Sequence, residues 1–250
     1  MIDVLICGIG GKMGATVCDI LESDGDMQVT CGVDARNTLA NVPVYTAFGN
    51  VKEHVDVVID FSAPSALYEE LEWAKTKYIP VILATTGYTT EQLSYIEKCS
   101  EEIAIFKTAN FSVGVNLLVK LVKKAAETLG ENFDIEIIER HHRMKADAPS
   151  GTALMLADSA NSAFGGRKRY LNGREGIVGK RGGEIGLHAV RGGTIVGEHE
   201  VVFAGEDEII TLSHSARSKK VFAAGAVKAA KWITGKPAGR YDMTDILKDL

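Results

Sequence analysis

The chain has 250 residues, of which 46% are hydrophobic and 24% are charged, and its formal net charge is −5. This length is enough for one large globular domain or two smaller ones. The negative charge, with no basic arm or lysine-rich tail, argues against a nucleic-acid partner. No apolar run approaches the roughly 20 residues that a membrane-spanning helix needs, so no membrane partner is expected.

The chain start and the cysteines predict a cytoplasmic location. The segment Met1–Val4 lacks the charged region and cleavage site of a signal peptide. The cysteines stand in apolar contexts without CxxC spacing, at Cys7, Cys18, Cys31 and Cys99. We therefore expect buried thiols in a reducing compartment, and no metal centre.

A glycine-rich turn follows the first predicted strand, Ile2–Cys7, which is apolar enough to be a buried parallel strand. The turn and the start of the next helix consist of Gly8, Ile9, Gly10, Gly11, Lys12, Met13 and Gly14. Because glycine has no Cβ atom, a pyrophosphate can approach the backbone of the turn closely, and the helix start supplies N–H donors. Met13 replaces the third glycine of the usual GxGxxG spacing, so the turn alone is weak evidence for a dinucleotide site.

Further strands are predicted at 28–33, 55–61, 81–84 and 104–107, and helices at 65–77 and 90–99. This alternation predicts a doubly wound parallel sheet, in which ligands bind at the carboxyl ends of the strands. Asp34 follows the second strand, about 20 residues beyond Gly14, where a carboxylate accepts hydrogen bonds from ribose hydroxyls; the alternative is a solvated loop aspartate. Other small or polar residues at strand ends are Ala84, Thr85, Thr86, Thr108, Ala109, Asn110 and Phe111. Residues 1–109 are therefore predicted to bind a dinucleotide.

The pattern changes after residue 109. A long helix at 112–129 precedes four predicted strands, at 133–140, 185–190, 194–203 and 207–214, which favour a mixed or antiparallel sheet. The glycine- and arginine-rich stretch Gly165–Gly183 is interpreted as a mobile loop or lid. Residues 110–216 would form a substrate-binding and oligomerisation domain. A last helix at 218–234 is expected to return to the first domain, together with the rest of 217–250.

The segment Glu139–Thr152 joins a strand end, a basic loop and a helix start, a combination typical of anion-binding sites. Adjacent strand residues point to opposite faces, so His141 and His142 are expected to do separate jobs rather than to chelate a metal together. Asp147 is expected to orient Lys145. Arg143 is either a carboxylate ligand or a surface charge. Structural roles are favoured for His188, His199 and His214.

The run Glu139-x-His141-His142-x-x-Lys145-x-Asp147-x-Pro149-Ser150-Gly151-Thr152-Ala153 resembles the signature of the 4-hydroxy-tetrahydrodipicolinate (dihydrodipicolinate) reductase family. The similarity extends to Gly8–Gly14, Ala84–Gly87, Ala109–Gly114 and Val221–Ala226, and so covers nearly the whole chain. It implies a Rossmann domain with an inserted α+β mixed-sheet domain, in a homotetramer. It also implies reduction of a cyclic dicarboxylate by NADH or NADPH in diaminopimelate and lysine biosynthesis.

The resemblance implies a role for each residue of the loop. His141 and Lys145 would be the proton-donating pair, with the donor itself left open, and His142 would contact the substrate. Gly151 and Thr152, with Ser150 at the helix start, would bind a substrate carboxylate. Asp34 is followed by Ala35 and then Arg36, so NADH is predicted to be preferred or both nucleotides to be used comparably.

Two other functions are possible from the sequence. The chain could be another Rossmann dehydrogenase with an inserted sheet, such as a relative of aspartate or homoserine dehydrogenase, although those are not expected to carry this loop. It could also be a nucleotide sensor without catalysis, which would give no reason for Lys145 beside His141.

Overall fold

The computed structural model of the protein describes residues 1–36 and 40–248. The chain divides into two compact units, unit 1 (Met1–Ser112 with Lys220–Leu250) and unit 2 (Val113–Lys219). The breaks expected from the sequence, after residues 109 and 216, lie slightly earlier in the chain. Among the described helices, none is long and apolar enough to cross a membrane.

The strands of the described residues are β1 (Ile2–Cys7), β2 (Met27–Val33), β3 (Val44–Tyr45), β4 (Val57–Asp60), β5 (Val81–Leu83), β6 (Ala104–Lys107), β7 (Asp134–His141), β8 (Tyr170–Asn172), β9 (Ile185–Arg191), β10 (Gly197–Ala204), β11 (Ile209–Ala216) and β12 (Gly239–Tyr241). Their α-helices are α1 (Lys12–Leu21), α2 (Leu67–Lys77), α3 (Thr90–Cys99), α4 (Val113–Leu129), α5 (Gly151–Ser162), α6 (Lys220–Ile233) and α7 (Met243–Ile246).

Unit 1 is built on a parallel sheet with the strand order β12-β6-β5-β4-β1-β2-β3. The predicted Rossmann architecture is confirmed. The central strands β1, β4, β5 and β6 are almost wholly buried, because the sheet is covered on both faces and their apolar runs have no solvent side. Thr89 caps α3 in a capping box with Gln92. The short elements β3, β12 and α7 were not predicted.

Unit 2 is built on a mixed sheet with the strand order β11-β10-β7-β9-β8. The pairs β7–β9 and β8–β9 are parallel, while β10 is antiparallel to both of its neighbours. Burial alternates strictly along β7, and Ile135, Ile137, Glu139 and His141 are its buried residues. The two isoleucines pack with apolar residues of α4 and α5 in one core. The predicted second domain with a mixed sheet is therefore confirmed.

The stretch Gly165–Gly183 is not merely a loop, as the sequence interpretation had it. Residues 170–172 form β8, an edge strand that pairs with β9. Arg174 binds both carboxyl oxygens of Glu136 at 3.0 and 2.8 Å, and Arg181 Nε donates to Glu136 Oε1 at 2.9 Å. These ion pairs fasten the stretch to β7, on the strand face opposite His141. Movement of the stretch as a lid stays a prediction.

A buried acidic pair lies in the core of unit 1. Asp60, the last residue of β4, is 1% exposed and Glu70 of α2 is 0% exposed. Asp60 accepts hydrogen bonds from Ser62 and Tyr88. Within the described residues, neither carboxyl oxygen of Glu70 has a hydrogen-bond partner. Burial, and then the charge of Asp60, raise the pKa of Glu70 well above its usual 4.5, which favours the neutral acid.

We expect the Glu70→Met variant to be more stable than the wild type at alkaline pH, by about 1–3 kcal/mol at pH 8. The carboxyl has a higher pKa in the folded than in the unfolded protein, so the folded state binds the extra proton. Stability therefore falls as the pH rises above about 4.5, towards the raised pKa of the folded state. The variant should lose this part of the pH dependence.

Urea unfolding between pH 5 and 9 measures the effect. Trp73 and Trp232 are the only tryptophans of the chain and both belong to unit 1, so their fluorescence reports this unit. Glu72→Gln, at an exposed site of the same helix, is the matched control and should change stability by less than about 1 kcal/mol. A Glu70→Met variant with the pH dependence of the wild type would contradict the expectation.

Candidate active site

The glycine turn of unit 1 has the close contacts that a dinucleotide turn requires. Gly8 has a φ of +78°, and a Cβ atom on it would lie 2.7 Å from the carbonyl oxygen of Phe61. A Cβ on Gly14 would lie 2.2 Å from the carbonyl oxygen of Gly8. Helix α1 begins after Gly11 without a side-chain cap. The turn is thus compact, and the helix start beside it suits a pyrophosphate.

Asp34 lies next to this turn. Its carboxylate accepts hydrogen bonds from the amides of Gly10 and Arg36, both at 3.0 Å. The Arg36 side chain is exposed, with Nε 3.8 Å from the same carboxylate. Gly8, Gly11, Asp34, Arg36 and Phe61 all line one cavity of about 520 Å³. The structure therefore brings the turn and the predicted ribose-binding carboxylate together.

The remaining predicted cofactor residues lie immediately after two neighbouring parallel strands. Ala84, Thr85 and Thr86 follow β5, and Thr108, Ala109, Asn110 and Phe111 follow β6. The second group is locally ordered, because Thr108 Oγ1 donates to the Asn110 carbonyl and Asn110 Oδ1 accepts from the Ser112 amide. Phe111 packs on Phe61 and Phe106. These strand ends all lie at the same edge of the sheet as the glycine turn.

In unit 2, Glu139 is the centre of a buried hydrogen-bond network. It is 1% exposed, and its Oε2 lies 2.5 Å from Nδ1 of His141. Arg191 forms a bidentate pair with the carboxylate, with both N···O distances 2.7 Å. Burial raises the pKa of Glu139, but the hydrogen bonds from Arg191, His141 and the Ser150 amide outweigh burial and lower it overall. Glu139 is thus ionised at neutral pH.

Ser150 forms the start of α5. Its Oγ accepts a hydrogen bond from the Ala153 amide at 3.2 Å, and its own amide donates to Glu139 at 3.0 Å. Gly151 is exposed and is the first residue of α5, so its N–H group has no partner within the helix. Thr152 is half-buried in the first turn. The three predicted carboxylate-binding residues therefore lie together at one helix N-terminus.

Lys145 lies in the loop between β7 and α5. Its Nζ donates to Asp147 Oδ1 at 2.9 Å, and this hydrogen bond holds the pKa of Asp147 below its usual value. The contact that the sequence predicted between these two residues is present. His142 is half-buried directly after β7, and Arg143 is exposed. The Ala148–Pro149 peptide bond is cis.

His199 on β10 also belongs to this cluster, although the sequence favoured a structural role for it. Its Nε2 lies 3.1 Å from Ser150 Oγ, and its ring packs edge-to-face on His141 with centroids 5.1 Å apart. Burial, and then the positive charge of His141, lower the pKa of His199 to about 4. His199 is therefore neutral at physiological pH.

Sequence reasoning did not identify Arg191, His199 or the role of Glu139. One signal was available: a strand repeats every two residues, so Glu139 and His141 must share a face with Ile135 and Ile137. The described residues hold two groups spaced to bind a metal ion, Asp3-His54-Asp56 and Cys7-Asp60-Glu70. Neither group includes a residue of the 139–152 segment.

Comparison with known proteins covers both units. The family model "Dihydrodipicolinate reductase, N-terminus" matches residues 2–111, and "Dihydrodipicolinate reductase, C-terminus" matches residues 114–247. The chain belongs to the dihydrodipicolinate reductase family. It is thus a nicotinamide-nucleotide-dependent oxidoreductase.

Several dihydrodipicolinate reductases are similar along their whole length. The 4-hydroxy-tetrahydrodipicolinate reductase of Caldanaerobacter subterraneus subsp. tengcongensis is 49% identical over 249 residues, covering 99% of both chains. That of Clostridium tetani is 42% identical over 248 residues, covering 99% of this chain and 97% of the relative. The solved structure of dipicolinate-bound dihydrodipicolinate reductase from Paenisporosarcina sp. TG-14 has a TM-score of 0.83 at 25% identity, covering 99% of both chains.

Other dehydrogenases share only the fold with this reductase-family chain. Aspartate dehydrogenase from Thermotoga maritima has a TM-score of 0.50 at 13% identity, covering 95% of this chain and 98% of that chain. This likeness accounts for the Rossmann alternative that the sequence left open, and it carries no information on activity.

Proposed function

We propose that this protein reduces 4-hydroxy-tetrahydrodipicolinate to tetrahydrodipicolinate, a step of diaminopimelate and lysine biosynthesis. NADH or NADPH supplies the hydride, a proton is taken up, and the 4-hydroxyl group of the substrate leaves as water. The observation that carries the proposal is the cluster in unit 2. A histidine paired with a buried carboxylate, a lysine and the N-terminus of a helix lie within one short segment, His141–Thr152. Relatives with the name of this reductase, at 42–49% identity over the full chain, support the same reaction.

The helix start is suited to a carboxylate of the substrate. The amides of Gly151 and Thr152 belong to the first turn of α5, where N–H groups and the helix dipole favour an anion. Ser150 uses its side chain for the Ala153 amide and its own amide for Glu139, so it orients the turn. His142 would contact the substrate from the preceding strand end. The dipicolinate bound to the Paenisporosarcina relative is a dicarboxylate, which agrees with this substrate class.

Reduction also needs a proton, for which His141 and Lys145 are the candidates. Bound NADH or NADPH supplies the hydride, and the charge that develops on the substrate must be neutralised by an acid. Because Glu139 is an ionised acceptor, His141 carries a proton on Nδ1, and Nε2 is left as the nitrogen that exchanges a proton with the substrate. Lys145 adds positive charge, held by Asp147.

Unit 1 fits a nicotinamide nucleotide. The Cβ-free surface at Gly8 and Gly14 and the uncapped start of α1 suit the pyrophosphate, and Asp34 suits the adenosine ribose. The carboxylate of Asp34 would repel a 2′-phosphate, while the exposed guanidinium of Arg36 would partly offset the repulsion. NADH should therefore be preferred, or both nucleotides used comparably.

A coupled assay tests both points. Purified protein is supplied with substrate made in place by dihydrodipicolinate synthase, and the absorbance of NADH or NADPH is followed. We expect turnover with kcat/KM for NADH at least about equal to that for NADPH. A preference for NADPH of about tenfold or more would refute the cofactor prediction. Nucleotide binding without turnover would favour a nucleotide sensor and refute the proposed function.

The homotetramer that the resemblance implies stays a prediction, as does the cytoplasmic location. One feature of unit 2 supports assembly through its sheet. Val190 on β9 and Ile209 on β11 are exposed apolar side chains on strands of this sheet. Assembly through this face would remove the two side chains from water.

A further inference from the structure

Three segments of unit 2 meet at the carboxylate of Glu139. Oε2 pairs with His141 of the same strand and with Nη1 of Arg191 on β9. Oε1 accepts from the Ser150 amide at the start of α5 and from Nη2 of Arg191. One side chain thus joins the candidate acid to the candidate carboxylate-binding turn.

Stability does not explain this arrangement. Removing two charges from water costs several kcal/mol, and a buried ion pair is often no more stabilising than apolar side chains of the same volume. The adjacent apolar position on this face of β7 is Ile137, while the other close neighbours of Glu139 are the site residues His141 on β7 and His199 on β10. The geometry of the pair, and not its contribution to folding, is what the site uses.

The carboxylate determines which nitrogen of His141 carries the fixed proton. An ionised carboxylate only accepts hydrogen bonds, so Nδ1 must be the donor and Nε2 must be the exchanging nitrogen. The other imidazole of the cluster, His199, has no such partner: its Nδ1 is buried without a hydrogen bond among the described residues. With its pKa near 4, His199 stays neutral. Of the two histidines, only His141 therefore has a carboxylate that prepares it to exchange a proton.

Arg191 has a second contact besides Glu139. Its Nη2 donates to the carbonyl oxygen of Asp147 at 2.6 Å. Next to it, the Gly192 amide donates to the His141 carbonyl at 2.9 Å, and the Arg143 amide donates to the Gly193 carbonyl at 3.2 Å. The end of β9 therefore holds the backbone of the loop that carries Lys145.

We propose that Glu139 and Arg191 are positioning residues of the reduction, an inference that rests on the proposed role of His141 as proton donor. Glu139 fixes the tautomer of His141 and the orientation of the Ser150 turn. Arg191 keeps Glu139 ionised and holds the loop at Asp147. Neither residue touches the substrate; they act through His141, Ser150 and the loop.

The Glu139→Gln variant tests the first role. An amide offers one acceptor and one donor, so an N–H group must face either His141 or the Ser150 amide. If it faces His141, Nδ1 becomes the acceptor and the exchangeable proton moves to the wrong nitrogen. We expect kcat to fall roughly 10²–10⁴-fold, as when a histidine loses the carboxylate that orients it. The alkaline limb of the kcat profile should move to lower pH, and binding of NADH by unit 1 should be unchanged.

Glu136→Gln is the matched control. Glu136 is on the same strand and also pairs with arginines and a histidine, Arg174, Arg181 and His188, but on the opposite face. The kcat of the Glu136→Gln variant should remain within about twofold of the wild-type value, and its pH profile should be that of the wild type. Equal losses of kcat in the Glu139→Gln and Glu136→Gln variants, or a Glu139→Gln variant with the wild-type pH profile, would overturn the proposal. A wild-type protein without turnover would instead refute the proposed function.

Arg191→Lys tests the second role and keeps the proposal falsifiable if Glu139→Gln does not fold. Lysine preserves the charge beside Glu139 but cannot bind both carboxyl oxygens and the Asp147 carbonyl at once. We expect kcat/KM for the substrate to fall about tenfold, because the loop that carries Lys145 is held less firmly at the Asp147 carbonyl. An unchanged kcat/KM in a folded Arg191→Lys variant, judged by circular dichroism, would overturn the role of Arg191.

Discussion

The His141→Ala and Lys145→Ala variants are expected to lose catalytic rate by roughly 10²–10⁴-fold, the range typical for removal of a general acid. His141→Ala removes the nitrogen that exchanges the proton. Lys145→Ala removes the positive charge of the loop and leaves Asp147 without its partner. The measurement is kcat and kcat/KM in the coupled assay, with NADH binding as a check that unit 1 is intact.

Met144→Ala is the matched control for these two variants. Met144 lies in the same loop, its side chain is 81% exposed, and its loss should leave kcat unchanged within about twofold. Comparing the two active-site variants also bears on which residue delivers the proton. The donor's variant should lose the alkaline limb of the rate profile, while the other variant keeps it at a lower rate. Near-wild-type rates for both variants would contradict the proposed mechanism.

The Gly14→Ala variant is expected to lose nicotinamide nucleotide binding to below detection, and with it all turnover. The added Cβ would lie 2.2 Å from the Gly8 carbonyl oxygen and 2.8 Å from the Ile9 Cα atom. Both neighbours are backbone atoms, and the turn cannot easily move. The Gly8 carbonyl accepts from the Gly11 amide at 3.0 Å, and Gly8 itself is confined against Phe61. Overpacking of this kind costs about 1–3 kcal/mol or more in stability.

Energy transfer from the two tryptophans of unit 1 to NADH measures the binding. Gly25→Ala is the matched control, because a Cβ on Gly25 would meet nothing within 4 Å and its φ is not positive. This control should bind NADH as the wild type does. A Gly14→Ala variant with an unchanged dissociation constant would show that the turn does not form the pyrophosphate site.

The long parallel strands and helices of unit 1 were predictable because their patterns are strong. Strand β1 and helix α3 have the predicted bounds, Ile2–Cys7 and Thr90–Cys99. The short elements β3, β8 and β12 contain too few residues to show a period, and they lack the three-residue aliphatic run that marked the equally short β5. β8 is also surrounded by glycines and arginines, which suggested a loop. Only its pairing with β9 makes it a strand.

The part of the site formed by residues close together in the sequence was predictable, and the part contributed by distant residues was not. Residues 139–152 lie on one strand, one loop and one helix start, so their proximity follows from chain order. Arg191 and His199 reach the site from other strands, 52 and 49 residues away from the partners they contact. Charged or polar residues on strands usually face solvent, so a single sequence gives little reason to expect that His199 is buried and Arg191 half-buried. The same holds for Glu70, although its helical spacing with Leu67, Leu71 and Ala74 placed it on the buried face.

The return of the chain to unit 1 has a consequence for how the protein folds during its synthesis on the ribosome. The parallel sheet is completed only by β12, from residues 239–241, which pairs with β6. Until those residues have emerged from the ribosome, β6 is an edge strand with unpaired backbone groups, the kind of surface that invites aggregation. The mixed sheet of unit 2 is complete once residue 216 has been translated. The inserted unit, although it comes second in the chain, can therefore finish folding first, while the parallel sheet of unit 1 still has an open edge at β6.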